Sequence, residues 1–205
     1  SPYQTACGAA DMMSHILEVY FNLNEDLFML DSMMEAMLKT IVKFAPVAIA
    51  EPENYEARAN LMWCSSWAIN GFINGGRRKA WSCHPMEHEL SAIYDIAHGH
   101  GLAILTPRWM EYCLEESNAH RYVSLGVNVF GIDPKGEPMA IAKECIERMR
   151  EFMSVTLNLP YTFTEVGIKR EDFATMARKA CRYGAIRGFK TLEPQDVERI
   201  YEMCI

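Results

Sequence analysis

Four of the six histidines lie between positions 84 and 100, and their spacing restricts how the chain can fold. His84 and His88 are four residues apart, so a helix would place them on one face, one turn from each other. His98 comes fourteen residues after His84, and a straight helix of that length rises by about 21 Å. One metal ion, with ligand bonds of about 2 Å, does not bridge that distance. If His84 and His98 share a site, the helix must end between them and the chain must turn back.

The segment between these histidines contains residues that end helices. Asp95 is suited to stop or cap a helix, and Gly99 and Gly101 relax the backbone just beyond it. We therefore predict a helix, a corner and a second helix, which together bring two metal-binding histidines into contact.

A second polar pair, Asp11 and His15, lies near the N-terminus among apolar positions with helical spacing. Taken alone, such a pair is usually a solvated helix face worth about 0.2–0.5 kcal/mol. Beside a second histidine cluster, metal binding becomes the better interpretation. A carboxylate with imidazoles suits zinc or ferrous iron. Such an ion acts as a Lewis acid on a substrate carbonyl or alkoxide oxygen.

Helical periodicity covers most of the chain, and sustained strand alternation is absent. The prediction is an all-α helical bundle of about eight or nine helices, following an irregular start at 1–8. The predicted helices outside the histidine corner are 9–22, 31–50 with Asp31 as N-cap, 55–70, 102–117, 138–157, 169–183 and 194–203. The helix at 55–70 is apolar on most sides and is therefore expected to be buried centrally. Pro46 and Pro107 are expected to interrupt their helices, and 184–188 is expected to be a loop.

Composition favours a single cytoplasmic domain covering 1–205. Half of the residues are hydrophobic and the net charge is −7, which argues against nucleic acid or an anionic membrane as the main partner. No apolar run reaches the length of about 18 residues that a membrane span needs, and no signal peptide is apparent.

Seven scattered cysteines indicate reduced thiols. Cys83 is interpreted as a core residue, with a metal ligand as the alternative, and His120 as a surface residue. The basic run from Arg77 to Lys79 is interpreted as a solvated loop or, alternatively, a phosphate contact.

Two other interpretations of the histidine segment remain open at this level. His84 to His88 fits H-x-x-E-H, the inverted zinc-protease pattern, in which both histidines bind zinc and Glu87 activates water. That short pattern is weakly specific and leaves Asp11, His15 and His98 without roles. The third interpretation is a non-catalytic helical module whose histidines bind no metal.

Longer motifs resemble the iron-containing (group III) alcohol dehydrogenases, most closely the butanol dehydrogenase-like branch. The similar segments are His84-x-x-x-His88-Glu89-Leu90-Ser91-Ala92, Tyr94-Asp95-Ile96-Ala97-His98-Gly99, Gly101-Leu102-Ala103 and Pro107-x-Trp109-Met110. Upstream, Pro2 to Gly8 followed by Asp11-x-x-x-His15 is similar to that family's first metal segment, and Leu192 to Tyr201 to its final helix. The resemblance spans nearly the whole chain.

The resemblance implies roles for individual residues. It implies that one divalent ion, Fe2+ before Zn2+, is bound by Asp11, His15, His84 and His98. It implies that His88 lies near the substrate and the nicotinamide, where it aids proton transfer, and that His88 and His98 contact the cofactor. Glu87 then has no water to activate, and His100 stays unassigned.

In this family an N-terminal α/β domain binds NAD(P), and a helical C-terminal domain of the dehydroquinate synthase-like fold carries the metal. Only the second corresponds to this chain, which lacks a glycine-rich phosphate loop and begins with Ser1, so a processed or truncated catalytic half is implied. The implied reaction interconverts small aldehydes and primary alcohols with NAD(P)H, which binds mainly to the other domain. The isolated half is expected to have little activity. Substrate length, NAD or NADP, and oligomeric state, a homodimer included, stay open.

Overall fold

The computed structural model describes residues 1–22, 27–75 and 81–205. Within these ranges the chain forms nine α-helices and one small hairpin. The helices are α1 (Pro2–Tyr20), α2 (Phe28–Ala50), α3 (Tyr55–Ile69), α4 (Cys83–Tyr94), α5 (His98–Cys113), α6 (Ala119–Phe130), α7 (Pro138–Glu151), α8 (Phe173–Ala180) and α9 (Pro194–Glu202). The hairpin pairs β1 (Ile186–Arg187) with β2 (Thr191–Leu192) in antiparallel fashion. The all-α prediction is confirmed, although β1 forms within the predicted loop at 184–188.

The core is built around α1 and α5. Helix α1 packs on α5, α2 and α3, while α5 also contacts α4, α7 and α9. All residues from Gly99 to Met110 of α5 are buried. Gly99 allows the close approach of the two central helices, because an added Cβ there would collide with the carbonyl oxygen of Cys7 in α1. The start of α5 is thereby held against α1. Among the described residues, no helix is both long and apolar enough to cross a bilayer.

The predicted corner between His84 and His98 is confirmed. Helix α4 ends at Tyr94, and Asp95 adopts a left-handed conformation with φ 51° while its N–H still donates to the carbonyl of Ser91. Asp tolerates this backbone region better than most residues that carry a Cβ. Three residues later α5 begins at His98, so the two histidines lie at the two helix starts rather than along one straight axis.

Several predicted helix boundaries are wrong. Helix α1 begins at Pro2 rather than at residue 9, because the Ser1 hydroxyl caps it by accepting from the Gln4 N–H and proline suits the first turn. Helix α2 begins before Asp31, which lies in its first turn and pairs with Arg121. Helix α5 begins four residues earlier than the predicted 102–117. Helices α7 and α8 are shorter than predicted, since a π-turn (Phe152–Thr156) follows the first and a 3-10 turn (Arg170–Asp172) precedes the second.

The two internal prolines do not end their helices. Pro46 lies inside α2 and Pro107 inside α5. A proline in a helix interior costs about 3 kcal/mol. The nearly complete burial of α5 shows why that cost is tolerated there: packing on all sides stabilises the helix independently of one lost hydrogen bond.

The prediction that 55–70 is centrally buried is wrong. Only four residues of α3 are buried, three of them small: Ala57, Leu61, Cys64 and Ala68. Met62 and Trp63 are 72% and 68% exposed. An apolar composition around the whole helix did not reveal which side would pack, because the inward face is chosen by fit against α1 and α2.

All seven cysteines are buried and free, and Cys83 belongs to the core as predicted. His120 is exposed, in agreement with a surface position. The basic run from Arg77 to Lys79 lies outside the described residues.

Candidate metal centre

Three helices bring the four predicted side chains to one point. Asp11 and His15 are one turn apart on α1, His84 is in the first turn of α4, and His98 is the first residue of α5. Helix α5 packs on α1, and Glu18 of α1 accepts from the N–H groups at the start of α4, so both helix starts lie next to α1.

One carboxylate oxygen, Asp11 Oδ1, lies close to three imidazole nitrogens. Asp11 Oδ1 lies 3.4 Å from His15 Nε2, 3.7 Å from His84 Nε2 and 3.7 Å from His98 Nε2. Ligand atoms around a tetrahedral ion with bonds of about 2.1 Å are about 3.4 Å apart. Donor atoms of Asp11, His84 and His98 lie within 4.8 Å of one another. The separations of Asp11, His84 and His98 are thus compatible with one shared ion, and His15 lies beside Asp11.

Two buried polar atoms at this point have no hydrogen-bond partner within the described part of the chain. They are Asp11 Oδ1 and His84 Nε2. A buried polar atom left without a partner costs about 1–3 kcal/mol. Both atoms face the same small space, and carboxylate oxygen with imidazole nitrogen is a donor set for a divalent transition metal. The residues present fit a bound ion.

The cluster is closed on one side and open on the other. The side chains of His84 and His15 are 8% and 14% exposed, whereas those of Asp11 and His98 are 34% and 36% exposed. Solvent or a substrate therefore reaches the point of convergence from the side of Asp11 and His98.

Charge within the cluster shifts the protonation of its members. Burial alone would raise the pKa of Asp11, but the adjacent His84, His15 and His98 hold it below its usual value. Burial likewise opposes protonation of His84, yet Asp11 and Glu18 together raise its pKa to about 9. The site thus favours positive charge close to Asp11, which is also what a bound cation supplies.

Glu18 lies behind His84, and sequence reasoning did not assign it a role. It is 3% exposed. Its Oε1 is 3.1 Å from His84 Nδ1 and accepts from the backbone N–H groups of Cys83 and His84, while Oε2 accepts from the N–H of Ser82. A signal was present: Glu18 is a charged residue in an apolar run, three residues after His15 and on the same helix face.

Glu87 lies behind His98 in the same way. It is fully buried, its Oε2 is hydrogen-bonded to His98 Nδ1, and its Oε1 accepts from the Ser91 hydroxyl at 2.5 Å. The inverted zinc-protease interpretation needs Glu87 to face an attacking water. Its carboxylate instead faces the imidazole of His98, so the geometry does not support that interpretation.

His88 stands beside the cluster at the protein surface. Its ring centroid is 5.4 Å from that of His98 and 6.2 Å from that of His84. It lines a cavity of about 270 Å³ together with Trp81, Pro85 and Tyr183. Burial and the neighbouring His98 and His84 lower its pKa, against the opposing effect of Glu87. An accessible imidazole with a lowered pKa is thus present at the rim.

The remaining histidine of the segment, His100, has a different environment. Its Nδ1 is 3.2 Å from the Tyr3 hydroxyl, and its Nε2 is 2.8 Å from the carbonyl oxygen of Pro160. It connects α1 to the segment after α7 and does not face the donor cluster.

Comparison with known proteins identifies the family. Residues 5–205 match the model of the Fe-containing alcohol dehydrogenase family, C-terminal region. The chain belongs to the iron-containing alcohol dehydrogenases. The long motifs around His84 and Asp11 therefore reflect family membership, and the helical fold is that of the family's C-terminal domain.

Several relatives within the iron-containing alcohol dehydrogenases are similar along nearly the whole chain. NADH-dependent butanol dehydrogenase A of Clostridium acetobutylicum is 47% identical over 201 residues, which cover 97% of this chain and 51% of that protein. The structure of NADH-dependent butanol dehydrogenase A from Thermotoga maritima is 33% identical, with a TM-score of 0.91 over 100% of this chain and 52% of that one. The aldehyde reductase YqhD of Escherichia coli is 28% identical with a TM-score of 0.92, covering 100% of this chain and 54% of that one.

The chain thus spans about half the length of the curated relatives it matches. The part that it covers contains the donor cluster and its supporting carboxylates.

Proposed function

We propose that Asp11, His15, His84 and His98 bind one divalent metal ion, Fe2+ in first place and Zn2+ as the alternative. We propose further that the complete protein interconverts aldehydes and primary alcohols with NAD(P)H. The observation that carries the proposal is the convergence of one carboxylate oxygen and three imidazole nitrogens, from three helices, at separations of 3.4–3.7 Å from Asp11 Oδ1. Family membership supports the same assignment.

The relatives support the reaction class. Four similar proteins are named NADH-dependent butanol dehydrogenases, and the one from Escherichia coli is named an NADPH-dependent aldehyde reductase. These names give butanol or an aldehyde as the substrate and NADH or NADPH as the cofactor. The substrate proposed here is therefore a small primary alcohol or its aldehyde, and the cofactor NAD(P)H.

The metal ion, when bound, supplies Lewis acidity that stabilises negative charge on the substrate oxygen. The protein residues prepare the site for it. Asp11 and the three imidazoles hold the ion, and the burial of His84 and His15 keeps bulk water from the inner side. The exposed side of Asp11 and His98 admits the substrate, and His98, whose side chain is 36% exposed, contacts the nicotinamide.

His88 is proposed to move the proton. Its imidazole lies at the open rim, 5.4 Å from the ring of His98 by centroid, and it is exposed to solvent. A ring nitrogen of His88 takes the proton of the alcohol when the alcohol is oxidised and returns one when the aldehyde is reduced. The role is that of an acid–base group and not of a metal ligand.

Metal analysis of four proteins tests the metal centre: wild type, Asp11→Ala, His98→Ala and the control His120→Ala, which alters an exposed histidine outside the cluster. After chelation and readdition of Fe2+ or Zn2+, wild type and control are expected to retain one equivalent and the two site variants to lose it. A wild type that binds no stoichiometric metal would indicate a non-catalytic helical module. Retention by Asp11→Ala, with hydrolysis abolished in Glu87→Gln, would indicate a metallohydrolase instead.

The reaction is tested on the complete protein, by following NAD(P)H oxidation in the presence of butanal. His88→Ala is expected to reduce turnover while leaving the metal content at one equivalent. The 205 residues alone are expected to bind metal with little turnover, because their sequence contains no glycine-rich phosphate loop after a strand. Rapid NAD(P)H-dependent reduction of butanal by these residues alone would contradict that expectation.

A further inference from the structure

We infer that Glu18 and Glu87 are positioning residues of the metal centre. Each carboxylate holds the Nδ1–H of one histidine and thereby directs the Nε2 of that ring toward the ion. The inference rests on the proposed metal site, and it extends that site to two buried residues that do not contact the ion.

The pairing of Glu87 with His98 fixes a tautomer. An ionised carboxylate only accepts hydrogen bonds, so the Nδ1 atom of His98 that bonds to Glu87 carries the hydrogen. The lone pair of His98 is then on Nε2, the atom 3.7 Å from Asp11 Oδ1. The His98 side chain is 36% exposed, so surrounding packing restrains it less than a core residue. The buried glutamate supplies the restraint.

The fold makes room for Glu87 at this place. A Cβ on Gly101, one turn into α5, would lie 2.6 Å from Glu87 Oε1 and 2.8 Å from its Cγ. Any larger residue at position 101 would therefore displace the carboxylate. The Ser91 hydroxyl donates to Oε1 at 2.5 Å, and Oε2 is hydrogen-bonded to His98 Nδ1. The side chain is thus held through both of its oxygens.

Glu18 does the same for His84 and also fixes the helix that carries it. Its two oxygens accept from three successive N–H groups at the start of α4, those of Ser82, Cys83 and His84. The positive end of the helix dipole favours a carboxylate at that position. The same Oε1 is 3.1 Å from His84 Nδ1. One side chain therefore sets both the start of α4 and the orientation of the ring on it.

Buried acids elsewhere in the chain have other partners, so burial alone does not explain this arrangement. Glu89, two residues after Glu87 and 5% exposed, pairs with Arg182. Glu35, 8% exposed, accepts from the Tyr20 hydroxyl. Within the described residues, the ion-pair partners of Glu18 and Glu87 are histidines of the donor cluster. Carboxylates behind metal-binding histidines fix ring orientation and raise ligand basicity.

A Co2+ titration of the 205-residue chain tests the inference. Affinity is measured by competition with a chelator, coordination geometry by the visible d–d spectrum at saturation, and folding by thermal unfolding of the metal-free protein. Glu18→Gln and Glu87→Gln are expected to weaken Co2+ binding by about 10- to 100-fold and to change the spectrum. The matched controls Glu35→Gln and Glu89→Gln, which alter buried acids outside the cluster, are expected to keep the wild-type affinity and spectrum.

The outcomes separate this inference from the proposed function. A wild type that binds one Co2+, with Glu18→Gln and Glu87→Gln binding equally tightly and with the same spectrum, would overturn the positioning roles and leave the metal centre standing. A wild type that binds no Co2+ would overturn both. If Glu18→Gln fails to fold, the Glu87→Gln variant decides, because the hydrogen-bond partners of Glu87 within the described residues are the side chains of Ser91 and His98. Ser91→Ala removes only the hydroxyl that donates to Glu87 and is expected to weaken Co2+ binding by less than Glu87→Gln does. Unchanged Co2+ affinity in both variants would overturn the inference.

Discussion

Asp11 Oδ1 on α1 lies 3.7 Å from the Nε2 atom of His98, the first residue of α5. This contact exists because α4 stops at Tyr94 and Asp95 reverses the chain in a left-handed conformation. A helix continued through Asp95 would have carried His98 far from His84 and from Asp11.

The corner itself is tested at Asp95, whose φ is 51°. Replacement by Ala is expected to lower the free energy of unfolding by about 1–2 kcal/mol, because the Cβ is disfavoured there and no polar side chain compensates. Asp95→Gly is expected to be neutral or slightly stabilising, since glycine adopts this conformation freely. Denaturant unfolding of the three proteins measures the difference. Equal loss in both variants would mean that the aspartate side chain, and not the backbone angle, is what matters.

The space around Glu87 is tested at Gly101. Gly101→Ala is expected to destabilise the protein by about 1–3 kcal/mol and to weaken metal binding, because the new Cβ would occupy the place of the Glu87 carboxylate. Gly8→Ala is the matched control: it also lies inside a helix, but an added Cβ meets nothing within 4 Å. That variant is expected to be more stable by about 0.5–1 kcal/mol. Destabilisation of both to the same extent would contradict the steric explanation.

Metal removal is expected to lower thermal stability, because one ion would connect α1, α4 and α5. At a free-ion concentration of about 100 times Kd, binding to the folded state alone adds about 2.7 kcal/mol. Scanning calorimetry of the wild type with Zn2+ and then with a chelator measures the shift in Tm. Asp11→Ala is expected to show little shift under the same two conditions. An unchanged wild-type Tm would argue against a site spanning three helices.

The ion pair between Arg121 and Asp31 is expected to stabilise the contact between α6 and α2. It joins side chains only 10% and 18% exposed, and the guanidinium also lies over the Tyr20 ring. Arg121→Ala is expected to cost about 2–4 kcal/mol, since it leaves a largely buried carboxylate without its partner. Arg148→Ala, which removes an exposed pair with Glu144, is expected to cost less than about 0.5 kcal/mol. A similar loss of unfolding free energy in both variants, measured by urea unfolding, would show that burial does not determine how much an ion pair stabilises the protein.

Local spacing predicted the helical class, the corner and the grouping of Asp11 with His15, because each depends on residues within a few turns of one another. It failed where packing between distant segments decides. The exposed side of α3 is one example: Met62 and Trp63 are as apolar as the core, yet they face outward. The hydrogen bond from Ser1 that starts α1 early was also overlooked, although its signal is local.

The sequence by itself determined that His84 and His98 cannot share one straight helix, since the rise per residue is fixed by backbone geometry. Only the tertiary structure decided that Asp11 meets them and that Glu18 and Glu87 stand behind the two rings. Those contacts depend on the side of α1 against which the corner packs. That choice depends on close approaches such as that of Gly99 to Cys7, which joins residues far apart in the chain and cannot be read from a periodic pattern.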